Sequence, residues 1–263
     1  MKPAAVILDL LRTYARKGTS VRSIMATGQM FGFSENLMRV NLSRLVSRGI
    51  VENVKRGHYR LTDLTDPIND FVEAWRLGEA RLRPWDRESW VLVHRASTTT
   101  DKGDWALDAA GFRQVRPGLW LRPDCLAREA GELLEDLGLE SQSLVASGAR
   151  IAPRWQTGWI SCFDIDAMTN AYRQCREQLL QSAARLEVLP HEQALKESFR
   201  LGGKAVHILA KDPLIPAPLM DPSARTVLWQ TMLDYDRRGR EIWGRRGKDR
   251  PDMMPTPHLE VSI

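Results

Sequence analysis

Three observations predict an α+β chain in three parts. Helical periodicity dominates both ends of the 263-residue sequence. Two short strand-like segments joined by Lys55-Arg56-Gly57-His58 follow the third helical segment. The middle alternates strand and helix patterns as β-α-β-β-α-β. The first part, residues 1–65, reads as a winged helix-turn-helix. A helical linker over 66–84 leads to a ferredoxin-like βαββαβ domain over 85–160. A helical domain over 161–250 and a flexible tail over 251–263 complete the expected organisation.

In the first part, Val6, Ile7, Leu10 and Leu11, with Tyr14, recur at helical spacing, and Gly18 ends that helix. Thr19 or Ser20 can cap the next helix, whose Val21, Ile24 and Met25 face inward. Gly28 to Gly32 supplies the turn. Ser34 suits the N-cap of a third helix from Glu35 to about Arg48, because its hydroxyl can satisfy an orphan backbone N–H. Gly49 sits at the carboxy-terminal boundary. At about 100° per residue, Met38, Asn41, Leu42 and Leu45 share one face and pack inward. Asn36, Arg39, Val40, Ser43 and Ser47 share the other, with Arg44 at its edge.

Short polar and cationic side chains on one exposed stripe suit a DNA major groove. Arg39 can fork onto guanine and Asn36 can pair with adenine. Ser43 can donate to a base or phosphate, and Val40 can touch a thymine methyl. Strands over Ile50–Val54 and Tyr59–Thr62 flank the hairpin tip, where Lys55 and Arg56, beside His58, can grip phosphates. Charge agrees. Residues 1–62 hold 11 Lys/Arg against 3 Asp/Glu, a net of +8, whereas the whole chain carries +5. Positive potential is therefore concentrated in one small domain, as expected of a module that docks on phosphates.

Further along, residues 64–83 read as mostly helical. Trp90–His94 is a compact apolar strand, residues 106–110 a helix, and Val115 and Leu119–Leu121 mark two short strands. A helix from about Cys125 to Leu137 and a strand around Ser143–Ala146 complete the middle. Helices then cover Met168 to about Leu186, a stretch before Asp212-Pro213, and Ala224–Trp243. The basic run over 237–250 reads as a solvated tail or helix end in preference to a DNA contact.

Other classes are disfavoured. No apolar run reaches the length of a membrane span, and the amino terminus lacks the regions of a secretory signal, so a cytoplasmic location is expected. Cys125, Cys162 and Cys175 are scattered and suit reduced thiols. Catalytic motifs are broken. Leu195 stands where a second zinc ligand would follow His191-Glu192, and Ala205 replaces the hydroxyl after Gly202-Gly203-Lys204. No catalytic residue, metal site or cofactor is expected, and the chain reads as a binding protein rather than an enzyme.

Residues Ser34 to Gly49 resemble the recognition-helix segment of PaaX-like transcriptional repressors, the regulators of phenylacetic acid catabolism. Trp85-Asp86 followed by Trp90-Val91-Leu92-Val93 is similar to the opening strand of that family's central domain. Gly111-Phe112 and Pro117-Gly118-Leu119-Trp120-Leu121-Arg122-Pro123 are similar to its next two strands. Phe163-Asp164-Ile165-Asp166 with Tyr172, and Asp212-Pro213-Leu214-Ile215-Pro216, resemble its carboxy-terminal motifs. The resemblance spans roughly residues 5–240. It implies a homodimeric, ligand-responsive repressor with a ferredoxin-like (Cas2-like) central domain, and two winged helices related by a two-fold axis would read an inverted repeat of double-stranded DNA. It also implies release by a small effector, an aryl-acyl coenzyme A thioester in the founding members. Such a thioester needs cations for its phosphates, and Arg113, Arg116, Lys204 and Lys211 are the candidates. Gly202–His207 and Met220–Ser223 depart from the family's pattern, which leaves the effector's identity open. The alternative reading is a metal-dependent nuclease or coenzyme A thioester enzyme with an accessory winged helix. Where related central domains place a metal-binding aspartate, the first strand here ends in His94-Arg95.

Overall fold

The computed structural model describes residues 2–13, 18–63, 66–95 and 101–249. The chain is α+β, with two small antiparallel sheets and many helices. It divides into two compact units. One gathers Met1–Asn69, Gln181–Gly203 and the chain from Asp234; the other gathers Asp70–Leu180 and Lys204–Leu233.

The first unit opens with α1 (Pro3–Thr13), where proline at the first helical position forfeits no hydrogen bond. Val6, Ile7, Leu10 and Leu11 are fully buried, as their spacing predicts; Tyr14 lies outside the described residues. A two-residue strand β1 (Thr19–Ser20), which the sequence pattern does not signal, precedes α2 (Val21–Met30) and α3 (Glu35–Ser47). The hairpin β2 (Val51–Lys55) and β3 (His58–Leu61) follows, and the sheet order is β1-β3-β2. Gly18 makes β1 possible. Its φ is +64°, and a Cβ there would lie 2.3 Å from the Tyr59 carbonyl oxygen, so a side chain would push the strand off β3. The core of this part joins α1 to Ile24, Met25, Met38, Leu42, Leu45 and Val51.

Later helices add to the same unit. They are the end of α8 (Ile165–Ala183), most of α9 (His191–Ala210) and the second half of α10 (Ser223–Asp249). The buried Ser182 and Tyr235 hydroxyls share a hydrogen bond of 2.8 Å, and Arg185 pairs with Glu197 at 2.8 Å. The sequence reading starts α8 a few residues late and stops α10 short of its end. The tail over 251–263 lies outside the described residues.

α4 (Asp66–Glu73), whose last four residues belong to the second unit, runs into a 3-10 stretch, Ala74–Arg81, broken at Gly78. Then come β4 (Ser89–Arg95), α5 (Asp101–Ala109), β5 (Arg113–Arg116), β6 (Leu119–Pro123), α6 (Ala130–Asp136) and β7 (Ser143–Arg150). The antiparallel sheet has the order β5-β6-β4-β7, so each helix crosses over a strand that enters later or earlier in the chain. Val93 opposite Trp120 and Val91 opposite Arg122 define one sheet face. Leu107, Phe112, Leu133 and Leu134 cover it. Two expectations change here. The helix expected from Cys125 begins only at Ala130, because Leu126 is held in a β-bridge to Leu82 and Glu129 is extended. A further helix, α7 (Pro153–Ile160), follows β7 and was not foreseen.

Arginines are built into this unit's interior. Arg122 is buried, donates to the Ala110 carbonyl at 2.9 Å and lies over the Phe112 ring. Burial pulls its pKa down to about 10, so it remains charged at neutral pH. Arg225 donates to the Ile215 carbonyl at 3.1 Å and lies 3.9 Å from Asp212. Burial pushes the Asp212 carboxyl upward and the Arg225 charge opposes that. One Asp212 oxygen accepts the Leu214 N–H at 2.7 Å, which supports Leu214 at a φ of +53° just beyond α9.

Candidate nucleic-acid interface

The exposed stripe predicted on the third helix exists, and its local chemistry explains why. Ser34 caps α3, its hydroxyl oxygen accepting the Leu37 N–H at 3.3 Å, and Gly49 leaves the helix at a φ of +67°. Met38, Leu42 and Leu45 are buried. Met38 packs so tightly on α2 that a Cβ at Gly28 would come within 2.4 Å of it. Anchoring one face turns the other outward. Asn36, Arg39, Val40, Ser43, Arg44 and Ser47 are all exposed. Leu37 and Val46 flank them and are exposed too. Asn41 turns back, its amide donating to the Leu37 carbonyl at 2.8 Å. Ser47 donates to the Arg44 carbonyl at 3.0 Å, so its hydroxyl proton is engaged.

The hairpin tip is tied to the start of α2. The Val21 N–H donates to the Gly57 carbonyl at 2.7 Å, and Ser20, the cap of α2, faces His58 across β1 and β3. Gly57 adopts a φ of +72°, and the hairpin register shifts between Asn53 and Lys55. Lys55 and Arg56 project from this tip as exposed side chains; His58 is half-buried. Arg22, the second residue of α2, is exposed beside the same junction.

Ion pairing sorts the cations. The three acids of residues 1–62 are each taken by one arginine: Asp9 by Arg12 at 2.9 Å, Glu35 by Arg39 at 2.6 Å, Glu52 by Arg60 at 2.5 Å. Among the described residues, Arg22, Arg44, Arg48, Lys55 and Arg56 have no acidic partner within ion-pair distance. The sequence reading overlooked Arg22 and Arg48. Arg22 sits on a helix whose face pattern reads only as packing, and Arg48 lies at the helix end, outside the stripe.

The turn between α2 and α3 is also held from the carboxy-terminal helices of this unit. The Phe31 ring lies 5.2 Å from Phe199 of α9, which lies 6.1 Å from Trp243 of α10. No local sequence signal marks this contact.

The cations considered for an effector belong to the second unit and separate into groups. Arg113 lies 3.1 Å and Lys211 3.7 Å from the two oxygens of Asp108, and Lys211 also stands over the exposed Trp105 ring. Arg116 donates to the Val115 carbonyl at 2.7 Å, and Lys204 to the Gln178 side chain at 2.9 Å. Asp108 thus brings two of the four together, while the other two lie on different partners.

Comparison with known proteins follows this division. Residues 2–65, the part that carries α1 to β3, match the family model described as PaaX-like protein. A solved structure, an uncharacterized protein Rv0674 from Mycobacterium tuberculosis, is similar over 92% of this chain and 98% of its own. The identity is 19% and the TM-score 0.56. The likeness in fold therefore extends through both units. No curated protein matches the sequence.

Proposed function

From a PaaX-like domain at residues 2–65, we propose that the chain is a sequence-specific DNA-binding transcriptional regulator, a repressor released by a small effector, and not an enzyme. In this reading α2 and α3 form the helix-turn-helix and the β2–β3 hairpin is its wing. The four-stranded sheet with α5 and α6 is the ferredoxin-like part. Asn36, Arg39, Val40 and Ser43 face base edges in the major groove, while Arg44, Ser47, Lys55, Arg56 and His58 face the sugar-phosphate backbone. Arg22 and Arg48 join them as phosphate contacts. A homodimer would present two such heads to an inverted repeat.

One observation carries the proposal. On a single small domain the polar stripe of α3 is exposed, its three acids are each paired with an arginine, and among the described residues Arg22, Arg44, Arg48, Lys55 and Arg56 have no acidic partner within ion-pair distance. Such an arrangement favours a polyanion strongly, because each phosphate contacted also releases condensed counterions. The effector would act by differential affinity for one arrangement of the heads.

Footprinting of the DNA that flanks the chain's own gene tests the reading, with and without a panel of acyl coenzyme A compounds. The expected result is a protected inverted repeat with half-sites about 34–36 Å apart, lost on addition of one compound. Failure of the purified full-length chain to enrich any fragment from a random library at moderate ionic strength would overturn it.

A further inference from the structure

We infer that Glu35 is a specificity-determining residue: it holds Arg39 for a base edge and keeps it from phosphate. The inference rests on the DNA-reading role of α3 proposed above. Arg39 Nε and Nη2 both donate to the same Glu35 oxygen, at 2.8 and 2.6 Å. The pair is exposed, the two side chains at 56% and 48%, on the stripe that includes Asn36 and Ser43. It therefore stands where DNA would lie, not at the domain's rim.

Geometry makes the pair more than a helix-stabilising contact. A guanidinium offers its donors along two edges useful for recognition. Glu35 occupies the edge formed by Nε and one Nη2 proton. The end edge, Nη1 with the second Nη2 proton, stays available for the two acceptors of guanine in the major groove. A carboxylate behind an arginine fixes the guanidinium plane, so less side-chain freedom is lost when the base is engaged. Glu35 is itself fixed, because it is the first residue of α3, where the helix dipole favours a negative charge.

The same carboxylate discriminates. A negative side chain in a groove lined by phosphates is repelled unless its charge is matched. With Arg39 paired to it, the two form a nearly neutral unit that gains little from phosphates but gains two directional hydrogen bonds from the correct base. Without Glu35, Arg39 becomes one more free cation like Arg44 and binds any phosphate within reach. Specificity here comes from an acid that restrains an arginine.

The experiment uses the full-length chain and two duplexes, the sequence it selects and a scrambled control. Affinities are measured across a salt series for wild type, Glu35→Gln, Arg39→Ala and the double variant. Glu35→Gln should bind the scrambled duplex roughly threefold to tenfold more tightly, with a salt slope steeper by about 0.9. The ratio of selected to scrambled affinity should fall about tenfold, the loss of one base contact. In the Arg39→Ala background the same change should move neither slope nor ratio. An unchanged ratio and slope in Glu35→Gln overturns the inference, even if the melting temperature drops, because that pattern belongs to a purely helix-stabilising pair. Equal shifts with and without Arg39 overturn it as well. A wild-type chain with no preference between the duplexes removes the reading head itself, and the inference with it; a selective wild type with a fully selective Glu35→Gln removes the inference alone.

Discussion

Arginine plays opposite parts in the two units. In the first, Arg22, Arg44 and Arg48 stand exposed with no acidic partner among the described residues. In the second, Arg95, Arg122 and Arg225 are buried, and each finds an acceptor: Asp104 at 2.5 Å, the Ala110 carbonyl at 2.9 Å and the Ile215 carbonyl at 3.1 Å. A guanidinium loses hydration in the interior and must be given directed acceptors there. At the surface it keeps its water until something exchanges for it. Formal charge is identical in the two places. Only the surroundings decide whether an arginine builds the protein or waits for a ligand.

Replacing a buried arginine is the severest way to test this contrast. Arg225→Ala removes the charge that opposes burial at Asp212 and leaves the Ile215 carbonyl without that donor. A loss of about 3–5 kcal/mol in urea unfolding is expected. A loss under about 1 kcal/mol would mean that the surface and interior arginines differ less than their settings suggest. Arg44→Ala sharpens the contrast from the other side. Stability should stay within about 0.5 kcal/mol of wild type, while affinity for all DNA sequences falls and the salt slope flattens by about 0.9. A selective loss for one sequence would move Arg44 from the backbone to a base.

The smallest effect is on acid stability, and carboxylates show the same contrast with the sign reversed. Asp86 accepts the Glu88 and Ser89 N–H groups at 2.9 and 2.7 Å as well as the Ser89 hydroxyl. The Ser89 hydroxyl and the two backbone donors hold its carboxyl at about 2, below the ordinary 3.8. Its folded-state value is depressed, so its contribution is present above about pH 3.8 and is lost as pH falls through about 2. Asp212 is shifted the other way by burial, so protonation favours the folded state as pH falls. Urea unfolding of Asp86→Asn against pH should show a shallower acid loss than wild type, and Asp212→Asn a steeper one. Parallel curves would contradict the opposed settings of the two groups.

Much of the exposed face of α3 was legible because its determinants are local. The Ser34 cap, the apolar repeat Met38, Leu42 and Leu45, and the left-handed Gly49 lie within sixteen residues and place α3 to within a residue at each end. The order of strands and helices in the middle was legible for the same reason: apolar segments of strand length alternate with helical ones. What escaped depends on partners distant in sequence. β1 is two residues long and exists only because Gly18 admits the Tyr59 carbonyl. The late start of α6 follows from the Leu126–Leu82 bridge. The restraint of Arg39 by Glu35 is local, four residues apart, yet a face plot counts the arginine and ignores what it holds.

The ring of Phe31 has a practical bearing on how this protein is handled. A fragment ending near residue 65 would include all of α1 to β3, and everything that the family model covers. It would also remove Phe199, which lies against the Phe31 ring, and Trp243 behind Phe199, leaving the Phe31 ring more open to water. Such a fragment invites self-association through that ring, and measurements on it would not report on the domain as the whole chain holds it. The first unit is best assayed with its far-off helices attached.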